Sequence, residues 1–242
     1  MSEKLHVAQS PCTSCPYRRD APAGVWDKSD YEKLRGRDCW GGLDLSLRQD
    51  LTSLELFFPD GKGGDVLSWF WLPEDGIAEK AERDRVPYDL WAKQGLLELT
   101  PGRVVDTRYV VRRCAAILAA FRLVGLAYDR WRIEEFKKSL NDEGVDLPLE
   151  PYGQGFKDMA PALDAVEAAV VNRALRHGGH AVLTWCASNA VVEIDPAGNR
   201  KLTKEKSRGR IDGMVALAMA MGLAQREDEG PSMYTQVKLG VA

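Results

Sequence analysis

The sequence lacks a long apolar run. Its longest nearly apolar stretch, Met214 to Ala224, is far shorter than the ~20 residues that a transmembrane helix needs. The amino terminus also lacks the apolar centre of a signal peptide, so we expect a cytosolic protein. The five cysteines are odd in number and scattered, which suits a reducing compartment better than a disulfide framework.

An excess of charge of either sign is also missing. The 33 basic and 36 acidic residues give a net charge of -3, which argues against a simple basic nucleic-acid coat protein. No G-x-x-x-x-G-K-[ST] motif occurs, and Gly61-Lys62 lies in a predicted hairpin, so we do not expect the chain to hydrolyse ATP by itself. The composition, 45% hydrophobic and 29% charged, is typical of a globular protein.

Strand and helix patterns alternate after residue 38. Three β-rich runs, from Trp40 onward and around a glycine-rich turn at residues 60–64, predict an antiparallel β-meander. The whole order predicts a mixed α/β domain over residues 39–225, between a cysteine-containing appendage at 1–38 and a tail at 226–242. Helices are predicted at residues 77–94 with a break at Pro87, 106–121, 133–140, 158–177 with Asp158 as N-cap, and from Asp212; further strands are predicted at 122–129 and 145–153, and a hairpin turn at 196–199.

Three aspartates occupy positions where a carboxylate is costly to bury. Asp44 interrupts an apolar strand, Asp129 ends a buried strand and Asp212 begins an apolar helix. Oxygen ligands at such element ends can hold Mg²⁺ or Mn²⁺, and two such ions can drive phosphodiester hydrolysis. Structural explanations stay open for two of them: Asp212 as a helix N-cap and Asp129 as an exposed strand-end residue. Asp44, between two leucines, is harder to explain in that way.

A basic stretch precedes Asp212. It contains six basic residues and one acidic residue, a local charge of +5. Cations beside an acidic metal site suit an enzyme that acts on a phosphate backbone, although a solvated charged hairpin is the simpler explanation of the stretch taken by itself. The candidate DNA-binding residues are Arg200, Lys201, Lys204, Lys206, Arg208 and Arg210.

Cys12 and Cys15 form a CxxC motif. They supply two of the four ligands of a zinc site, which Cys39 or His6 would have to complete, and a redox pair or free thiols are also compatible with the motif. His177 and His180 flank two glycines at the end of a predicted helix, where a histidine beside a glycine cap is common. We assign these two histidines no catalytic role.

Several segments between about Leu34 and Leu223 resemble, in order, the C-terminal nuclease domain of tailed-bacteriophage terminase large subunits. The resemblance implies an RNase H-like nuclease fold with a mixed central sheet flanked by helices. It also implies an endonuclease that cuts concatemeric viral double-stranded DNA during packaging in the bacterial host cytoplasm. The segments are LRGRDCWGGLDLS, DLTSLELFFP, AYDRW, YGQGFKDMAPALDAVE, HGGHAVLTWCASNAVVEIDPAGNRKLTKEK and GRIDGMVALAMAMG.

The resemblance places Asp44, Asp129 and Asp212 on the family's catalytic, metal-binding acids, presented by the first and fourth strands and the last helix. It implies two Mg²⁺ or Mn²⁺ ions as cofactors. Lys204 and its neighbours become candidate DNA contacts. The terminase small subunit and the portal protein are implied partners.

The chain also departs from that family. Where a large subunit carries its packaging ATPase, residues 11–34 resemble the opening of a small, uncharacterised cysteine-containing phage family. We therefore expect a fusion, a remnant or a separately encoded nuclease that would rely on a separate packaging ATPase. Two other functions are compatible with the sequence: a non-catalytic fragment that binds DNA or a packaging partner, and another RNase H-like nuclease such as a resolvase or ribonuclease H.

Overall fold

The computed structural model describes residue 26 and residues 28–45, 50–130 and 133–228. A mixed sheet of seven strands forms its centre. Its strands are β1 Asp38–Asp44, β2 Thr52–Pro59, β3 Gly64–Pro73, β4 Glu98–Thr100, β5 Arg122–Asp129, β6 Leu149–Tyr152 and β7 Leu175–Arg176. The helices are α1 Lys28–Leu34, α2 Ile77–Asp84, α3 Tyr88–Lys93, α4 Thr107–Leu118, α5 Ile133–Glu143, α6 Phe156–Val171, α7 Ala181–Asn189 and α8 Asp212–Asp228. A separate hairpin consists of β8 Val192–Ile194 and β9 Arg200–Leu202.

The strand order of the sheet is β4-β3-β2-β1-β5-β6, with β7 also paired to β3. Strands β1, β2 and β3 are antiparallel neighbours, which confirms the predicted meander. Strand β5 runs parallel to β1, and β6 runs parallel to β5. The carboxyl ends of β1 and β5 therefore lie at the same edge of the sheet, and these ends carry Asp44 and Asp129.

Helices cover both faces of the sheet. Because side chains alternate along a strand, Phe57 and Phe70 face α6, α7 and α8, whereas Leu56 and Trp71 face α4 and α5. Both faces are packed, so the central strands are almost completely buried. The layers are helix, sheet and helix, which agrees with the expected α/β class. Within the described ranges no helix is long and apolar enough to cross a membrane.

Helix α8 lies directly on the centre of the sheet. Its residues from Val215 to Ala224 are all buried, so the apolar run in the sequence is a core helix. Contact is closest at Gly42, where a Cβ atom would lie 1.9 Å from the carbonyl oxygen of Ala216. Glycine at this position lets α8 approach β1, and the approach sets the start of α8 beside the end of β1.

Helix α6 differs from its prediction at both ends. It begins at Phe156 with Gly155 as its N-cap, so the prediction that Asp158 is the N-cap is wrong. The Asp158 carboxylate instead pairs with Arg226 at 2.5 Å. The helix stops at Val171, and the residues that follow form β7 against β3. The structure also contains α7, a short helix from Ala181 that carries no clear amphipathic pattern and that the sequence analysis did not anticipate.

Part of the segment expected to be an appendage belongs to the domain. Leu34 of α1 is buried in the same cluster as Leu43 and Phe58, and Tyr31 packs edge-on against Phe121. The Trp26 indole donates a hydrogen bond to the carbonyl oxygen of Val66 at 2.8 Å. The packed domain thus includes Trp26 and α1, and the N-terminal boundary at residue 38 is too late for the described residues.

Candidate active site

Asp44 and Asp212 converge on the ammonium group of Lys204. The Lys204 Nζ atom lies 2.7 Å from Oδ2 of Asp44 and 2.7 Å from Oδ1 of Asp212. Asp44 ends the central strand β1, and Asp212 begins α8. Their side chains are only 3% and 4% exposed, whereas that of Lys204 is 47% exposed. Two rigid elements therefore present carboxylates to one cation.

Burial dominates the electrostatics of this cluster. It raises the pKa of Asp44, and the negative charge of Asp212 raises it further, while the Lys204 ammonium opposes both effects. Burial also raises the pKa of Asp212, again against the attraction of Lys204. For Lys204, burial alone would lower the pKa, but the two carboxylates raise it above its usual value. Two buried acids thus share one positive charge, an arrangement that favours additional cationic charge.

Asp129 lies on the neighbouring strand. In the β1–β5 ladder Leu43 is opposite Tyr128, so Asp129 follows Tyr128 just as Asp44 follows Leu43. Asp129 is half-buried, and its negative charge contributes to the raised pKa of Asp44. Within the described residues, however, no three His, Cys, Asp or Glu side chains are grouped closely enough to hold a metal ion. Asp44 and Asp212 therefore contact the same cation, whereas Asp129 lies at the end of the neighbouring strand and is not part of that cluster.

The donor set of Asp44 and Asp212 fits a hard divalent cation. Carboxylate oxygens are the ligands that Mg²⁺ and Mn²⁺ prefer, and one oxygen of each acid already points at a common positive charge. In this structure the Lys204 ammonium is the cation that these two oxygens bind. A third carboxylate, that of Asp129, lies at the end of the next strand.

Comparison with known proteins identifies the family of the chain. The terminase large subunit endonuclease domain matches residues 24–228. The chain belongs to this family. The terminase large subunit of Enterobacteria phage HK97 is 50% identical over 225 residues, which are 92% of this chain and 44% of that protein. This terminase nuclease domain thus spans less than half the length of that relative.

Two solved structures support the fold of the terminase nuclease domain. The crystal structure of the HK97 large terminase matches with a TM-score of 0.75 and 49% identity, over 78% of this chain and 40% of that one. The large terminase nuclease of thermophilic phage G20c matches with a TM-score of 0.51 and 13% identity, over 77% of this chain and 83% of that one. The RNase H-like fold expected from the sequence is confirmed. A family of unknown function also matches residues 7–40, which overlaps the start of the terminase match.

Most cations of the predicted DNA-binding stretch already have acidic partners inside the terminase nuclease domain. Arg208 is exposed and makes no ion pair with any described residue. The local charge of +5 is therefore largely compensated, and the exposed positive potential is smaller than the sequence suggests. The pairs are Arg200 with Asp164 and Glu167, Lys201 and Lys206 with Glu193, Lys204 with Asp44 and Asp212, and Arg210 with Asp50 and Asp84.

Glu55 is a buried acid that the sequence analysis overlooked. It is 0% exposed in the middle of β2, opposite Gly42 and on the same face of the sheet as Asp44. The Ser53 and Ser68 hydroxyl groups donate to its two carboxylate oxygens at 3.2 and 2.5 Å. Burial raises the pKa of Glu55 well above its usual value, although the hydrogen bonds from Ser68 and Ser53 oppose this shift. The sequence pattern could have identified Glu55, because an acid interrupts the apolar run LTSLELFFP.

The two histidines lie elsewhere than predicted. They follow β7 rather than a helix, and His180 is the N-cap residue of α7, so the interpretation as a helix C-terminus is wrong. In the described part of the chain, the Nδ1 atoms of His177 and His180 are buried without a hydrogen-bond partner. Burial, and then the neighbouring His177, lower the pKa of His180 to about 3. His180 is therefore a neutral imidazole at physiological pH.

Of the proposed zinc ligands, Cys12, Cys15 and His6 lie outside the described residues. Cys39 is buried as a free thiol on the α4 side of β1. Burial raises the pKa of Cys39 to about 12, so the thiolate that zinc requires is disfavoured there. Cys39 is thus a poor candidate to complete the zinc site.

Proposed function

We propose that the terminase nuclease domain is a divalent-metal-dependent endonuclease that cuts concatemeric viral double-stranded DNA during packaging in the bacterial host. The convergence of buried Asp44 and Asp212 on one positive charge carries this proposal. Family membership adds the reaction class. Double-stranded DNA would be its substrate, and the terminase small subunit, the portal protein and a packaging ATPase its partners.

Asp44, Asp129 and Asp212 would hold the ions and so act as the catalytic acids. When bound, Mg²⁺ or Mn²⁺ supplies an activated water and stabilises the charge on the leaving oxygen. Asp44 is fixed by the central strand, and Asp212 by the close contact of α8 with β1 at Gly42. Rigid placement matters because catalytic groups lose most of their effect when they are displaced by about 1 Å.

The hairpin of β8 and β9 would guide the DNA backbone to these acids. Lys206 and Arg208 follow this hairpin, are exposed, and lie within a few residues of Lys204. Exposed cations contribute mainly through phosphate contacts and the release of counterions. Lys206 also pairs with Glu193 but is 58% exposed, whereas Arg200 and Arg210 are only 28% and 18% exposed and pair with acids of α6 and α2. We expect these two arginines to position the hairpin more than to bind DNA.

Cleavage of supercoiled plasmid in Mn²⁺ or Mg²⁺ tests the proposal. The Asp44→Asn and Asp212→Asn variants should each lose at least about 100-fold in rate, because the metal supplies both nucleophile activation and charge stabilisation. Asp142→Asn, an exposed change on α5, is the matched control and should cut normally. Cutting by Asp44→Asn at the wild-type rate would refute the catalytic assignment.

The choice of substrate separates the competing functions. Duplex DNA, an RNA/DNA hybrid and a four-way junction should be compared at equal concentration, and we expect duplex DNA to be cut fastest. Preference for the hybrid or the junction would instead identify a ribonuclease H or a resolvase. Salt-sensitive DNA binding without cleavage in any metal would identify a non-catalytic binding module.

A zinc ion at Cys12 and Cys15 is a separate proposal. The pair supplies two of the four ligands of a structural zinc site. Cys39 is a poor candidate for a third ligand, which leaves His6 as the other candidate that the sequence offers. The zinc content of purified protein tests this. We expect one zinc ion per chain, lost in the Cys12→Ser/Cys15→Ser variant; full zinc content in that variant would exclude the cysteines.

A further inference from the structure

Lys204 occupies the point at which the two buried acids meet. Its Nζ atom is 2.7 Å from one oxygen of Asp44 and 2.7 Å from one oxygen of Asp212. A Mg²⁺ ion bound by the same two oxygens would lie about 2.0–2.1 Å from each of them. The two cations would then need the same carboxylate oxygens, and their positive charges repel each other. The ammonium and the metal therefore compete for the same oxygens.

We propose that Lys204 competes with the catalytic metal for the two carboxylates. The lysine leaves the carboxylates when a DNA phosphate offers its ammonium group another anionic partner. The inference rests on the proposed function, because it concerns the same metal site. Binding of DNA and loading of metal would then be coupled. Without DNA the acids are held by lysine, and the site binds metal weakly.

The lysine is the exposed member of this cluster. Asp44 and Asp212 are almost fully buried on a central strand and at the start of a core helix. Lys204 lies in a turn after β9, and its side chain is 47% exposed. A flexible four-carbon stem lets its ammonium move while its backbone stays in place. The backbone is anchored next to it, since Thr203 is buried and its carbonyl oxygen accepts a hydrogen bond from Ser207 Oγ at 2.7 Å.

A phosphate near this turn is the natural alternative partner. Lys206 and Arg208 are exposed beside Lys204, so a DNA backbone that contacts them comes within reach of the Lys204 ammonium. A phosphate cannot enter the buried acid pair, because like charges repel there. The lysine must therefore move outward to meet it, and this movement frees the carboxylate oxygens.

The strength of the competition determines the apparent affinity for metal. When only a fraction of the molecules have free acids, the apparent dissociation constant rises by the inverse of that fraction. Removal of the lysine should restore the intrinsic affinity. Removal of a neighbouring positive charge that does not touch the acids should leave it almost unchanged.

Titration of Mn²⁺ into the full chain without DNA, by calorimetry or by electron paramagnetic resonance, tests this point. Lys204→Met, which keeps the stem, should bind Mn²⁺ at least about tenfold more tightly than wild type. Lys206→Ala, which removes a charge from the same turn, is the control and should bind within about twofold of wild type. Equal affinity of Lys204→Met and wild type would overturn the inference and leave the proposed nuclease intact. Absence of Mn²⁺ binding in both would overturn the metal site as well.

A second measurement uses the wild-type protein alone and so does not depend on the folding of a variant. Acetylation of lysines, read out by mass spectrometry, should increase at Lys204 when Mn²⁺ saturates the site, because the ammonium is released. Lys206 should not change in parallel. If the reactivity of Lys204 stays constant or falls on addition of metal, the lysine does not leave the acids and the inference is wrong.

Discussion

Gly42 of β1 lies directly against Ala216 of α8, so closely that a Cβ atom on the glycine would be 1.9 Å from the alanine carbonyl oxygen. The contact joins the strand that ends in Asp44 to the helix that begins with Asp212. Packing between small residues thus determines the distance between two acids that are far apart in sequence. The stability of the domain and the geometry of its candidate active site depend on the same contact.

Substitution Gly42→Ala should affect both properties. The added methyl group forces α8 away from the sheet, and we expect a loss of about 1–3 kcal/mol in the free energy of unfolding. Cleavage should fall as well, because the acids move apart. Chemical denaturation and plasmid cleavage measure the two effects. Gly155→Ala, where a Cβ atom meets nothing within 4 Å, is the control and should be clearly milder.

Metal binding should stabilise the folded domain through Asp44 and Asp212. A ligand at 100 times its dissociation constant adds about 2.7 kcal/mol to the free energy of unfolding, which is about 5–10 °C in Tm for a domain of this size. Differential scanning fluorimetry with Mn²⁺, and again after chelation, should show this shift for wild type and Asp142→Asn. An undiminished shift in Asp44→Asn and Asp212→Asn would place the ion elsewhere.

Glu55 should make the domain less stable at higher pH. Burial raises its pKa in the folded state, so between the unfolded-state value and the folded-state value the folded protein holds one more proton than the unfolded chain. The contribution of Glu55 to the free energy of unfolding is fully present below the unfolded-state pKa. It falls by about 1.4 kcal/mol per pH unit as the pH rises from the unfolded-state pKa towards the folded-state pKa.

The Glu55→Gln variant mimics the protonated acid and removes this dependence. Relative to wild type it should gain stability as the pH rises above the unfolded-state pKa of Glu55, as measured by urea denaturation. Glu82→Gln, an exposed change on α2, should follow the wild-type curve. Parallel curves for Glu55→Gln and wild type would show that Glu55 is ionised when buried.

Arg208 and Arg210 should behave differently although they are two residues apart. Arg208 is exposed, so Arg208→Ala should weaken DNA binding and reduce the salt dependence of binding by about one ion, with stability unchanged. Arg210 pairs with Asp84 at 2.8 Å and lies over the Tyr88 ring. Arg210→Ala should therefore cost about 1–3 kcal/mol of stability, since it leaves partners unsatisfied. The opposite pattern would mean that Arg210 is the DNA contact.

Local patterns in the sequence were sufficient for much of the fold. Alternation of apolar residues and glycine-rich turns identified the meander, and helical spacing identified α4, because side-chain period is a property of neighbouring residues. The same reasoning marked Asp44 and Asp212, since an acid inside an apolar element is visible without knowledge of the fold. The resemblance to terminase nucleases was carried by these segments and is confirmed.

Contacts between residues far apart in the sequence could not be predicted from local patterns. Lys204 and Asp44 are 160 positions apart, and a charge count assigned Lys204 to DNA rather than to the acids. Neutralisation of Arg200 and Arg210 likewise comes from acids on α6 and α2. The end of α6 at Val171 depends on the pairing of Leu175 with Gly64 of β3, which competes with continuation of the helix. Patterns within a segment specify its period and its buried face, but the partner of a charge is chosen by the packing of the whole chain.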